Sequence, residues 1–188
     1  MLTDPVIKLD PLPYFKALEP RKIEDIDLVV IHCTELPDLA TAREYGERIL
    51  YAGSGTGNSG HYYIERSGMI HQWVPVERIA HHVHGFNSRS IGIEMVNKGR
   101  YPDWYDSRNQ QMEEPYSDDS ISNLKLLLTD LKAKLPRLKW IAAHQSLDVS
   151  RVPSSNDPNV MVYRKTDPGP MFPWHELIPD LGLKLFNP

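Results

Sequence analysis

The sequence predicts a single α/β domain, and three observations carry that expectation. Apolar runs of strand length recur between turn residues, in "DLVVIHCT", "HYYIE", "MIHQWVP", "SIGIEMVN" and "KWIAAH". One stretch, "SDDSISNLKLLLTDLKAKLP", repeats its leucines at helical spacing. No internal repeat or linker divides the 188 residues, a length that suits one domain with a sizeable core.

Residues 1–26 carry several prolines and read as an irregular arm; the domain proper is expected over 27–180, with a tail at 181–188. Leu28–Cys33 is a buried strand, four apolar residues running into His32. "PDLATAREYGERIL" suggests a helix from about Asp38 to Leu50. "YAGSGTGNSG" lacks the Lys-Ser/Thr ending of a phosphate-binding loop and precedes a strand, so it reads as a flexible rim. "HYYIE" and "MIHQWVP" flank "RSG", a hairpin with Gly68 at its turn. In "SIGIEMVN", Ile91, Ile93 and Met95 share one face, and Gly92, Glu94 and Val96 the other. Residues 98–117 form a long polar and aromatic insertion. The helix after it starts at Ser117 as cap, with Asp118 and Asp119 at the positive end of its dipole. Ile121, Leu124, Leu128, Leu131 and Leu135 make its apolar stripe, and Pro136 stops it. "KWIAAH" is a short buried strand ending at His144.

Composition excludes several function classes. Net charge is −4, from 21 basic and 25 acidic residues with no basic run, which argues against nucleic acid as a partner. One cysteine, Cys33, permits neither an intrachain disulfide framework nor a cysteine-only zinc site. No apolar run approaches the roughly 18 residues of a membrane span. "MLTDPVIKLDPLPYF" has no cationic stretch followed by an apolar run, so the expected setting is the cytoplasm. A leader ahead of this sequence would make it periplasmic instead. Oligomeric state leaves no mark in the sequence.

The chemistry-bearing residues fall in few places. His32 and His144 each stand where an apolar strand gives out, a rigid position that opens onto a surface. In "YRKTDPGPMFPW", three prolines and a glycine exclude regular structure yet hold Lys165 and Asp167 two positions apart. Either this is a stiff surface turn, or it fixes a ligand or catalytic group. His32, His144 and Asp167 can form a three-ligand zinc site with the fourth position open, the form catalytic zinc takes; spacing alone leaves that open. "AHHVHG" offers a rival, with His81, His82 and His84 arranged as a metal-binding tract or as a polar loop. Glu94, inside a strand, is either a desolvated general base or an edge carboxylate paired with Lys98 or Arg89.

Five stretches in order, "VVIHCT", "SGHYYIERSGMIHQWVP", "AHHVHGFNSRSIGIEMVN", "IAAHQSLD" and "RKTDPGPMFPW", resemble the type-2 N-acetylmuramoyl-L-alanine amidases. That family includes AmpD and shares its fold with the peptidoglycan recognition proteins. The resemblance implies a central mixed β-sheet flanked by helices, and a zinc amidase that cuts between the lactyl group of muramic acid and L-alanine in muropeptides. It implies His32, His144 and Asp167 as zinc ligands, Glu94 as general base and Lys165 as oxyanion donor. His82 and Asn87 match positions that line the substrate groove; His81 and His84 match none. Relatives that use a catalytic tyrosine place it where this chain has Gly60, so the glutamate-based variant is expected. The cysteine-bearing insertion associated with cytosolic AmpD is missing between His61 and Glu94, so a preference for anhydro-sugar ends does not carry over. A non-catalytic recognition module is the alternative, and retention of all three ligands favours the enzyme.

Overall fold

A computed structural model describes residues 4–188. Its frame is a seven-stranded sheet built from β1 (Ile7–Leu9), β2 (Leu28–Cys33), β3 (Tyr62–Ile64), β4 (Ile70–Gln72), β5 (Ser90–Met95), β6 (Trp140–Ala143) and β9 (Lys184–Leu185). The strand order is β1-β4-β3-β5-β2-β6-β9. Only β3 and β4 pair antiparallel, as the hairpin at Gly68 requires, so the sheet is mixed. A separate two-stranded hairpin, β7 (Arg151–Pro153) with β8 (Met161–Tyr163), stands outside it.

Central strands of a parallel sheet are covered on both faces and read as continuous apolar runs. That explains β2, whose six residues are all buried. Its odd members Val29 and Ile31 join Ile91, Ile93, Met95 and Ile141 in the main core. Helix α2 (Asp118–Lys134) closes that face with Ile121, Leu124, Leu127, Leu128 and Leu131. Each fully buried side chain of this size contributes roughly 1.5–3 kcal/mol. The Ser117 hydroxyl caps α2 by accepting from the Ser120 amide at 3.2 Å. Helix α4 (Trp174–Leu181) adds Leu177 and Leu181 to the same core.

Three expectations need correction. The first helix, α1, spans Leu39–Gly46 and stops short of Leu50. Glycine is a poor helix former, and here the Tyr14 hydroxyl donates to the Gly46 carbonyl at 2.6 Å, taking an acceptor that a further turn would use. A side chain at Gly46 would also press on Trp73, 3.2 Å from where its Cβ would stand. The arm is not wholly irregular, since Ile7–Leu9 pairs with Ile70–Gln72 at the sheet edge. The tail likewise adds an edge strand, Lys184 and Leu185 pairing with Trp140 and Ile141. Segments this short carry too little periodicity to read as strands. Among the described residues no helix is long and apolar enough to cross a membrane.

Candidate active site

Register builds the site. β2 lies between β5 and β6, all three parallel, with His32 opposite Glu94 and Ile31 opposite Ala143. The residue after Ala143 is His144, which opens the single helical turn α3 (His144–Leu147). Three neighbouring strands therefore end at nearly one level and deliver Glu94, His32 and His144 in a row. The Lys165–Asp167 loop crosses these ends, held where the Gln145 amide donates to the Asp167 carbonyl at 3.0 Å.

The Nδ1 atoms of His32 and His144 lie 2.9 Å apart, and each is 3.1 Å from Asp167 Oδ2. All three side chains are buried. Among the described residues this is the one group of three or more His, Cys, Asp or Glu placed to hold a metal. Burial and the neighbouring His144 hold the His32 pKa down at about 4 against the upward pull of Asp167, so its imidazole is neutral. Asp167 is held well below the usual carboxylate range, because His144, His32 and Lys165 outweigh its burial. Two imidazoles and a carboxylate are the donor set of a zinc site.

A hydrogen-bond chain fixes which nitrogen of His32 is bare. The Ser90 hydroxyl donates to the Phe86 carbonyl at 2.8 Å, so its oxygen accepts from His82 Nε2 at 3.2 Å. His82 Nδ1, burial having kept that ring neutral, then accepts from His32 Nε2 at 2.9 Å. The His32 proton thus sits on Nε2, and the Nδ1 lone pair points at His144 and Asp167. Asp167 Oδ1 is buried without a hydrogen-bond partner, a costly state for a carboxylate oxygen. Lone pair, ionised carboxylate and orphaned oxygen all fit a cation held between the three residues.

Glu94 sits beside this cluster, its Oε1 3.9 Å from His32 Nδ1 and its side chain 15% exposed. Burial first, then the negative charges of Asp167 and Glu35, push its pKa well above 4.5, with Lys165 opposing. The alternative of an edge carboxylate paired with Arg89 or Lys98 fails. β5 is an interior strand, Arg89 forms a two-pronged pair with Asp27, and among the described residues the ion-pair contact of Glu94 is with His32, not with Lys98. Gly60 makes room for Glu94, since a Cβ there would stand 2.8 Å from Glu94 Cγ. Glycine at this position and a glutamate on β5 are therefore one arrangement.

A cleft of about 720 Å³ opens over the cluster, lined among others by Tyr51, His84, Asn87, Arg164 and Lys165. A family model described as "N-acetylmuramoyl-L-alanine amidase" matches residues 22–170. The chain belongs to that family. No curated protein matches it significantly by sequence. Among solved structures, an endolysin amidase, LysCS from Clostridium intestinale URNW, superposes with a TM-score of 0.66 at 19% identity, covering 98% of this chain and 100% of its own; that likeness is one of fold. AmiD from E. coli, solved in complex with the substrate anhydro-N-acetylmuramic acid-L-Ala-D-gamma-Glu-L-Lys, has a TM-score of 0.63 and 25% identity over 85% of this chain and 58% of that one. The bumblebee recognition protein PGRP-SA shares the fold at a TM-score of 0.59 and 17% identity, covering 82% and 92%.

The rival metal site in this amidase does not form. Residues 80–84 are not a strand, so His82 and His84 do not share a sheet face. His82 turns inward to His32, and His81 packs edge-on against Tyr51 with ring centroids 5.1 Å apart. Asn87 lines the cleft, but its side-chain oxygen accepts from the His82 and Val83 amides at 3.0 and 2.8 Å. The glycine-serine stretch is only in part a rim. Tyr51 and Thr56 form a bridge, and residues 56, 57, 59 and 60 are buried. Sequence reasoning passed over Glu35 and Arg100, which form a buried ion pair in the cleft wall. Their separation of 65 residues offers no local signal; an arginine next to a glycine at the start of the insertion was the only cue.

Proposed function

We propose that the chain is a zinc-dependent amidase that hydrolyses the amide between the lactyl group of (anhydro)muramic acid and L-alanine, in peptidoglycan recycling or turnover. The observation that carries this reading is the convergence of His32, His144 and Asp167 next to Glu94 and Lys165 under one cleft. His32 Nδ1, His144 Nδ1 and Asp167 Oδ2 would hold the ion, which when bound supplies Lewis acidity and lowers the pKa of water.

The protein's own groups do the rest. Glu94, its pKa raised by burial, takes a proton from the water that attacks the lactyl carbonyl. A C–O bond forms and the carbonyl electrons move onto oxygen. The Lys165 ammonium donates to that developing oxyanion. It stays protonated because Asp167, Glu35 and Glu94 outweigh its burial and raise its pKa. Glu94 then passes the proton to the alanine nitrogen as the C–N bond breaks. His82 and Asn87 line the cleft and would contact the substrate there, His82 while also orienting His32. The cytoplasm is part of the same proposal.

The test combines metal analysis with cleavage. The purified chain is expected to hold about one zinc, the stoichiometry of a three-ligand catalytic site. It is expected to release the L-alanine-headed peptide from an anhydromuramyl-tripeptide or a non-anhydro muropeptide, read by mass spectrometry. The ratio of the two rates separates recycling from wall remodelling. Zinc without release from either substrate would sink the substrate assignment, and neither zinc nor release after zinc is added back would favour a recognition module.

A further inference from the structure

The buried pair Glu35–Arg100 enters the chemistry above only through the nearby charge of Glu35, yet it is built with unusual completeness. Arg100 is 1% exposed. A guanidinium has five N–H donors, and each has an acceptor here. Nε donates to Glu35 Oε1 at 2.7 Å, and one terminal nitrogen donates to Glu35 Oε2 at 3.0 Å and the Arg164 carbonyl at 3.2 Å. The other donates to Gln110 Oε1 at 3.1 Å and the Tyr163 carbonyl at 3.0 Å.

The junction is fitted on the other side as well. The Trp104 indole donates to the Glu35 carbonyl at 3.0 Å. Gly99, at φ 53°, lies so close that a Cβ there would stand 2.6 Å from Glu35 Cγ. Glu35 itself adopts a left-handed φ of 49°, a conformation a non-glycine residue keeps only when its surroundings impose it. Replacing a buried ion pair by apolar groups is often neutral or stabilising, so stability alone does not account for this construction.

What the guanidinium grips is informative. Tyr163 and Arg164 are the two residues immediately before Lys165. No hydrogen bond steadies the Lys165 ammonium among the described residues. The place of that ammonium therefore follows from the course of the 163–165 backbone.

We propose that Arg100, held by Glu35, is the positioning residue for Lys165. By fixing two successive carbonyls it sets the point from which the lysine reaches the reacting carbonyl. The insertion at 98–117 thereby becomes a brace for the catalytic loop. This inference rests on the role given to Lys165 above.

The test is a double-mutant cycle on the zinc-loaded protein with the anhydromuramyl-tripeptide, comparing Arg100→Lys, Lys165→Ala and both together. Lysine keeps the charge but has three donors and no fork, so it cannot hold both carbonyls and the carboxylate. Misplacement by about 1 Å costs up to ~10²-fold. Arg100→Lys is therefore expected to lower kcat by ~10–100-fold while KM and zinc content stay close to wild type. The double variant should be no slower than Lys165→Ala alone, because a group that acts through Lys165 has nothing left to position. Losses that multiply, an unchanged kcat in Arg100→Lys, or loss of zinc would each overturn the proposal. If Lys165→Ala alone keeps full turnover, the reading of Lys165 fails and takes this inference with it, a result distinct from multiplying losses. Should Arg100→Lys not fold, Gln110→Ala, which removes one acceptor of the guanidinium without changing any charge, carries the same cycle with a smaller loss that is again expected to be absorbed into Lys165→Ala.

Discussion

The two faces of the central sheet use the same strands in opposite ways. On the α2 face, Val29, Ile31, Ile91, Ile93 and Ile141 interlock with leucines and bury nothing polar of their own. On the other face, the alternate residues of the same strands are Leu28, Val30, His32, Ser90, Gly92, Glu94, Trp140 and Ala142; the apolar cluster at these strands has four buried members, and a second, of nine, lies around Tyr63 and Trp73. Small residues leave room for imidazoles. A Cβ on Gly92 would stand 2.6 Å from the His82 ring, so a missing side chain on β5 is what lets that histidine reach His32. The α2 face of these strands is given to apolar packing, and the middle of the other face spends volume and desolvation on chemistry.

If that division is right, substitutions should sort by face. The largest effect is expected from Asp167→Ala on the site face. It removes one of three ligands, so zinc content should fall from about one per chain to near zero and activity with it, as metal analysis and the cleavage assay would show. Glu94→Gln should keep zinc and lower kcat by ~10²–10⁴. It carries a second signature. A carboxyl whose folded pKa is raised binds its proton more tightly in the native state. Stability therefore falls as pH climbs from 4.5 through the raised value. The chelated variant should accordingly melt higher than chelated wild type at neutral pH. A lower melting temperature would mean that Glu94 supports the fold, and the division would break there.

Lys165→Ala should retain zinc and lose ~10²–10³ in kcat, the usual consequence of deleting one oxyanion donor. The smallest effect sharpens the contrast from the other side. Ile93→Val, next to Glu94 in sequence but facing α2, should cost ~0.5–1.5 kcal/mol in denaturant unfolding with kcat unchanged. An Ile93→Val enzyme that is slower per folded molecule would show that the faces are coupled through β5.

The sequence made this division partly legible. Alternation in "SIGIEM" separates Ile91, Ile93 and Met95 from Gly92 and Glu94, and the leucines of α2 mark the face it covers, because strand and helix periods are local properties. His32 and His144 stand out as polar ends of apolar runs, and Asp167 as a charge in a stiff loop that spacing alone leaves open between a surface turn and a site. What remained illegible depends on partners remote in sequence. Arg100 meets Glu35 across 65 residues and the Tyr163 carbonyl across 63, and nothing local marks either contact. His82 reads equally as a groove residue, a tract ligand or a partner of His32 until its ring direction is known. The end of α1 was missed because a tyrosine hydroxyl 32 residues upstream takes its last carbonyl, and β1 and β9 because edge strands of three and two residues have no period to detect.

The level ending of β5, β2 and β6 has a consequence for the order in which the molecule is made. His32 and Asp167 are 135 residues apart, and contacts so remote are slow to close because the intervening chain must first be ordered. During synthesis from the N-terminus, His32 is exposed long before Asp167 exists. A nascent chain halted between His144 and the "TDPG" loop offers both imidazoles without Asp167, and one halted before residue 144 offers His32 alone. Capture of an ion at this centre would therefore mark completion of the site, and would then hold the domain closed by mass action.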